Sequence, residues 1–151
     1  MRKGFTLIEL VVVMGIFTTL LGISTINLSG AQLRSSLNSA VEVFVTDLKS
    51  QQLRSMVGED DGGGSAQSYG VHFESDSYTL FEGVAYSPVD PNNFQVNLPG
   101  NTEFFPINSD LIFAIGSGEI ASDTIVTIRR NSGGGQKEIN INRYGVVEEI
   151  N

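Results

Sequence analysis

Residues 5–28 read FTLIELVVVMGIFTTLLGISTINL, and the only charged side chain among them is Glu9. As a helix, a run of about 24 residues spans roughly 36 Å, enough to cross the apolar interior of a bilayer. Met1, Arg2, Lys3 and Gly4 precede it. Two cations ahead of an apolar run hold that tip on the cytoplasmic side, so everything after Leu28 is expected outside. The stretch admits three readings. A secretory signal peptide fits the basic tip, but the run is long and has no Ala-x-Ala exit site. A plain single-pass anchor fits the length, but does not need Glu9, because a carboxylate in an apolar helix is costly. The third reading makes both Gly4 and Glu9 functional.

The order Met1-Arg-Lys-Gly4, then Phe5-Thr-Leu-Ile-Glu9-Leu, resembles the prepilin signal of type IV pilins and type II secretion pseudopilins. In that family a membrane-embedded peptidase cuts after the glycine and methylates the new amino terminus. A glutamate five residues into the processed chain then aids assembly. The resemblance therefore implies cleavage between Gly4 and Phe5, N-methylation of Phe5, and an assembly role for Glu9. It also implies as partners a prepilin peptidase/methyltransferase, an inner-membrane assembly platform and other pilin or pseudopilin subunits. The chemistry suits these positions. A residue without a side chain lets a protease approach the backbone closely. Glu9 lies at i+4 from Phe5, one helical turn away. A carboxylate there can pair with the amine that cleavage creates, in its own chain or in a neighbour, and the attraction is strong in a low dielectric.

The helical pattern continues past the apolar run. Leu33, Leu37, Val41, Phe44 and Leu48 recur at spacings of four, four, three and four, while Arg34, Glu42, Asp47 and Lys49 fall off that stripe. The first proline is Pro88, so the helix is expected to reach about Val57 and stop at Gly58. An apolar stripe of this kind packs on another layer, and a sheet is the natural partner. The expected organisation is a leader at 1–4, a membrane half-helix at 5–28, an amphipathic half-helix at 29–57 and a β-rich head at 58–151.

The rest of the chain has the punctuation of short strands. Glu59, Asp60 and Asp61 with the following glycines form a loop; its acids leave calcium open as a ligand, though no EF-hand spacing follows. Residues 69–73 and 78–81 read as a hairpin, with His72 out of phase with Val71 and Phe73. The region of Pro88, Pro91, Pro99 and Pro106 reads as a long loop with a weak strand at 93–98. Strands follow at 111–115, at 124–130 and 137–143 around a turn at 131–135, and at 146–150. The fold class is thus α+β: a long N-terminal helix packed on a small antiparallel head, as in pilins. Tyr69-Gly-Val-His-Phe, Leu111-Ile-Phe-Ala-Ile-Gly and Ile139-Asn-Ile-Asn-Arg-Tyr-Gly loosely resemble H-type minor pseudopilins and FimT-type minor pilins.

Composition removes other classes. The formal charge is −8, from 17 acids against 9 bases, which disfavours nucleic acid as a partner. With no cysteine and one histidine, neither a disulfide framework nor a zinc site is expected. No nucleophile motif or phosphate loop is present, so neither an enzyme nor a cofactor is expected. The alternative function is that of a FimT-like minor pilin binding DNA during uptake. Arg129, Arg130, Lys137 and Arg143 gather near the last hairpin, but Glu138, Glu148 and Glu149 share that region.

Overall fold

The computed structural model describes residues 4–59, 65–131 and 135–151, and the side chains of these except 23–34. Helix α1 runs Leu7–Val57 and is followed by eight strands among the described residues. The chain divides into two compact units, Met1–Ser35 and Ser36–Asn151. The class is α+β with a β head.

In the first unit every described side chain from Gly4 to Gly22 is exposed. Among the described residues no helix is long and apolar enough to cross a membrane. The expected span 5–28 has its last part, residues 23–28, outside the described side chains.

In the second unit the helix buries one stripe. Leu37, Ala40, Val41, Phe44 and Leu48 are buried, and the stripe continues through two polar residues, Gln51 and Ser55. Leu33, expected at its start, and Arg34 lie outside the described side chains. The periodic spacing puts these residues on one face because 3.6 residues make a turn. The helix stops as a glycine terminus should: Gly58 has φ +63°, a conformation costly for residues with a Cβ. Its amide donates to Ser55 O at 3.3 Å.

The head contains two four-stranded antiparallel sheets. One has the order β3-β2-β1-β5, from β1 (Tyr69–Phe73), β2 (Ser77–Glu82), β3 (Phe94–Asn97) and β5 (Ser109–Phe113). The other has the order β4-β6-β7-β8, from β4 (Thr102–Phe105), β6 (Thr124–Arg130), β7 (Gln136–Ile141) and β8 (Val147–Ile150). β4 falls inside the expected proline loop. Pro99 and Pro106 flank it instead of interrupting it, so its four residues ladder with β6 from Thr102↔Arg130 to Phe105↔Thr127. β5 ends at Phe113, short of the expected Ile115. β7 ends at Ile141 because Asn142 starts a turn: its Oδ1 accepts from the amides of Tyr144 and Val146 at 3.0 and 3.1 Å. The centre of the expected turn at 131–135, residues 132–134, lies outside the described residues, as do Asp60 and Asp61.

Phe44 joins helix and sheets. Its ring lies 5.8 Å from Phe73 and 5.4 Å from Tyr78 on one sheet, and 5.3 Å from Phe104 on the other. These tilted and edge-on contacts are the favoured aromatic geometries. Val126, Ile128, Ile139 and Ile141 complete the same buried cluster. Two polar residues of the helix, Ser55 on the stripe and Asp47 beside it, are bonded to the head. Buried Ser55 donates to Phe113 O at 3.1 Å and accepts from the Tyr69 amide at 2.8 Å, tying the helix end to β5 and β1. Asp47 accepts the Tyr78 hydroxyl at 2.6 Å. Burial, reinforced by that carboxylate, pushes the Tyr78 phenol far above its ordinary range.

Candidate functional site

Among the described residues, the N-terminal site is exposed backbone that no other element covers. Gly4 has no atom within 4 Å of where a side chain would begin. Phe5 is 85 % exposed, and Gly4, Phe5, Thr6 and Glu9 together line a shallow surface depression. The Gly4–Phe5 bond therefore lies in the open, just ahead of the first helical turn.

That turn is built around Glu9. The Thr6 amide donates to Glu9 Oε2 at 3.2 Å, and the Thr6 hydroxyl donates to the same oxygen at 3.1 Å. In return the Glu9 amide approaches Thr6 Oγ1 at 3.4 Å. Leu10 N closes the first helical bond on Thr6 O at 3.2 Å. This is a reciprocal capping box: Thr6 is the N-cap and Glu9 the third helical residue, and each satisfies an amide that the helix start would otherwise leave unpaired. A carboxylate in the first turn also complements the helix dipole. Both side-chain bonds fall on Oε2, and Oε1 carries neither of them. Sequence reasoning that takes Glu9 by its charge alone passes over Thr6; the signal that finds it is the T-x-x-E spacing itself.

The described part of the apolar run has no inward face. Leu7, Ile8, Val11, Met14, Phe17 and Leu21 are each more than half exposed. Thr18 and Thr19, the polar interruptions, turn their hydroxyls back onto helix carbonyls, Met14 O at 2.8 Å and Ile16 O at 2.8 Å. Hydroxyls so occupied need no water, and the helix surface that remains is apolar.

Three of the four basic residues near the last hairpin are ion-paired or buried within the head. Arg129 Nε contacts Glu103 Oε1 at 2.6 Å, and Arg143 reaches Glu119 at 3.9 Å. Arg130 is 8 % exposed. His72 is half-buried, outside the buried cluster: its Nδ1 meets Asp110 Oδ1 at 2.5 Å and its ring stacks on Tyr86 at 3.9 Å. Among the described residues there is no group of three or more His, Asp or Glu side chains that could hold a metal ion.

Residues 1–25 match the family model described as the prokaryotic N-terminal methylation motif. This is the prepilin signal of type IV pilins and pseudopilins, and the matched range includes Gly4, Phe5 and Glu9. Neither a curated protein nor a solved structure matches the chain.

Proposed function

We propose, from a chain that begins with the prepilin signal, that this protein is a structural subunit of a type IV pilus-like or type II secretion filament. The peptidase cuts between Gly4 and Phe5 and methylates the Phe5 amine. The subunit then leaves the membrane through the assembly platform and packs its N-terminal helix among those of other subunits. Before assembly it is a single-pass inner-membrane protein with residues 5–28 in the bilayer and the head outside the cytoplasm. The protein works by packing and not by catalysis. One observation carries the reading: the methylation motif runs into a helix whose described N-terminal side chains are almost all apolar and are exposed on every side. Such a surface requires lipid or other subunits around it.

In this reading Glu9 has two tasks. Its Oε2 caps its own helix, and its carboxylate neutralises the Phe5 amine of a neighbouring subunit. Leaving that amine unpaired in a low-dielectric filament core would be costly. DNA uptake finds less support, since Arg129, Arg130 and Arg143 are paired or buried within the head.

The direct test is mass spectrometry of protein sheared from cells with the filament. The expected chain starts at Phe5 and carries one extra methyl group. Its side-chain formal charge is −10, because loss of Arg2 and Lys3 takes two cations from −8. An intact Met1, or a cut in the second half of the apolar run, would overturn the proposal.

A further inference from the structure

The two sheets of the head end, among the described residues, on four edge strands: β3 and β5 in one, β4 and β8 in the other. An edge strand presents backbone donors and acceptors to which a further strand can pair. The four differ in charge. β3 carries none. On β4, Glu103 is held by Arg129, and on β5, Asp110 is held by His72. β8 carries Glu148 and Glu149, both exposed. Glu148 accepts from Asn142 Nδ2 at 2.8 Å, and neither carboxylate has a cation partner among the described residues. β8 is thus the edge whose negative charge is not neutralised.

The register of β8 decides what fits beside it. The amides of Asn151 and Glu138 each donate to the other's carbonyl at 3.0 Å. Such pairs alternate along an antiparallel ladder, so Ile150 turns its N–H and C=O away from β7, toward the open edge. A residue added opposite Ile150 exchanges hydrogen bonds with it. A residue added opposite Glu149 stands in a non-bonded pair, where side chains approach most closely. Glu149 lies on the face of Asn140 and Ile125, its cross-strand neighbours. Glu148, at the register shift, lines a shallow depression with the same two residues. Ile150 is 43 % exposed and lies on the other face, with buried Ile139; alternation places Lys137 there too. The edge therefore offers negative charge on one face and an apolar side chain on the other. A second copy of this chain is a poor occupant, since its formal charge is −8 and like charges across a ladder destabilise it. The same carboxylates attract a strand of opposite sign. We infer that β8 docks an extended segment of another protein in which basic and apolar residues alternate. Its backbone pairs with Ile150, its lysine or arginine faces Glu149, and its apolar residue packs beside Ile150, adding a fifth strand to the sheet. This inference stands apart from the filament reading, and either can fail alone.

The test uses the full chain in a zwitterionic detergent. The probe is a fluorescent peptide of about eight residues, alternating lysine and valine, read by anisotropy and by amide shifts in NMR. It is expected to bind, to shift the Ile150 amide and to bind more weakly as salt rises. The same peptide with glutamate in place of lysine is not expected to bind. N-methylation of the probe at its valines removes the N–H groups that face Ile150 and keeps every charge; it is expected to weaken binding roughly tenfold or more. The double variant Glu148→Lys, Glu149→Lys changes exposed side chains only. It is expected to lose the lysine peptide roughly tenfold and to gain the glutamate peptide. Absence of binding by the lysine peptide overturns the inference. So does binding indifferent to valine methylation, which would make the contact one of charge alone, or a double variant whose preference is not reversed, which would place the contact elsewhere. Dimerisation of the chain through β8, seen as an Ile150 shift that grows with protein concentration, overturns it as well.

Discussion

The described parts of α1 on either side of residue 30 put similar apolar residues to opposite uses. Between Phe5 and Leu21 the large side chains are exposed on every side; Phe17 is 62 % exposed. Between Leu37 and Leu48 only one stripe is buried, and Phe44 and Leu48 are fully so. Local helix propensity does not distinguish the two regions, since both are helical. Polar residues do. The second region carries Glu42, Asp47 and Lys49 off the stripe, so water is satisfied on one side and protein on the other. The first has Glu9 as its one charge and its threonine hydroxyls turned inward, so it offers water almost nothing. The same element is a core component in one unit and a surface awaiting partners in the other.

The largest expected contrast comes from truncating one phenylalanine in each region. Phe44→Ala removes the ring that meets Phe73, Tyr78 and Phe104, and is expected to destabilise the head by about 3–5 kcal/mol. Phe17→Ala is expected to leave head stability unchanged within about 0.5 kcal/mol. Urea unfolding of the head, followed by the tyrosine signal, measures both. Equal effects would show that the two regions are not energetically separate.

Glu9 sharpens the comparison from the exposed side. Glu9→Val and Glu9→Gln are expected to reduce incorporation into filaments on the order of a hundredfold, as removal of one partner from a buried ion pair does. Cleavage at Gly4 should remain nearly unaffected. The measurement is the ratio of processed protein in sheared filaments to that in membranes. Glu9→Gln can still accept the Thr6 hydrogen bonds, so normal incorporation of this variant would reduce Glu9 to a helix cap.

Tyr78 supplies a smaller effect on the buried side. Its folded-state pKa is raised, by burial first and by Asp47 second. The neutral phenol is thus favoured by folding, and its contribution is complete below the unfolded-state pKa near 10. Above that pH the unfolded chain binds fewer protons, and stability falls by up to about 1.4 kcal/mol per pH unit. Tyr78→Phe is expected to remove this component. Urea melts of both proteins at about pH 9 and about pH 11 should therefore show a smaller alkaline loss for the variant.

The smallest expected effect is at Thr6. Thr6→Val removes the hydroxyl of the capping box and should cost about 1 kcal/mol of stability at the helix start, read as faster amide exchange at residues 7–10. Thr6→Ser should restore protection. If Thr6→Val lowered filament incorporation as far as Glu9→Val does, the cap and the assembly role would be one function.

Sequence alone was enough for the features that depend on local periodicity and on residues close along the chain. The position of Gly4, Phe5 and Glu9, the helix end at Val57–Gly58, the buried Leu37, Val41, Phe44 and Leu48, and the β1–β2 hairpin all rest on spacings of a few residues. The capping box is equally local, carried by the T-x-x-E spacing of Thr6 and Glu9, but a reading of Glu9 by its charge passes over it. The division of the head into two sheets was not legible, because strand order depends on which distant segments share hydrogen bonds. β1 pairs with β5, and β4 with β6, across long intervals of chain. Nor could the spacing show that Gln51 and Ser55 continue the buried stripe. A buried polar residue is most often held by a hydrogen-bond partner, and that partner can lie far along the chain. For Ser55 the Phe113 carbonyl and Tyr69 amide, 58 and 14 residues away, satisfy it. Local chemistry wrote the N-terminal signal and the helix; long-range pairing decided the head, because its energy belongs to contacts that no short window of sequence contains.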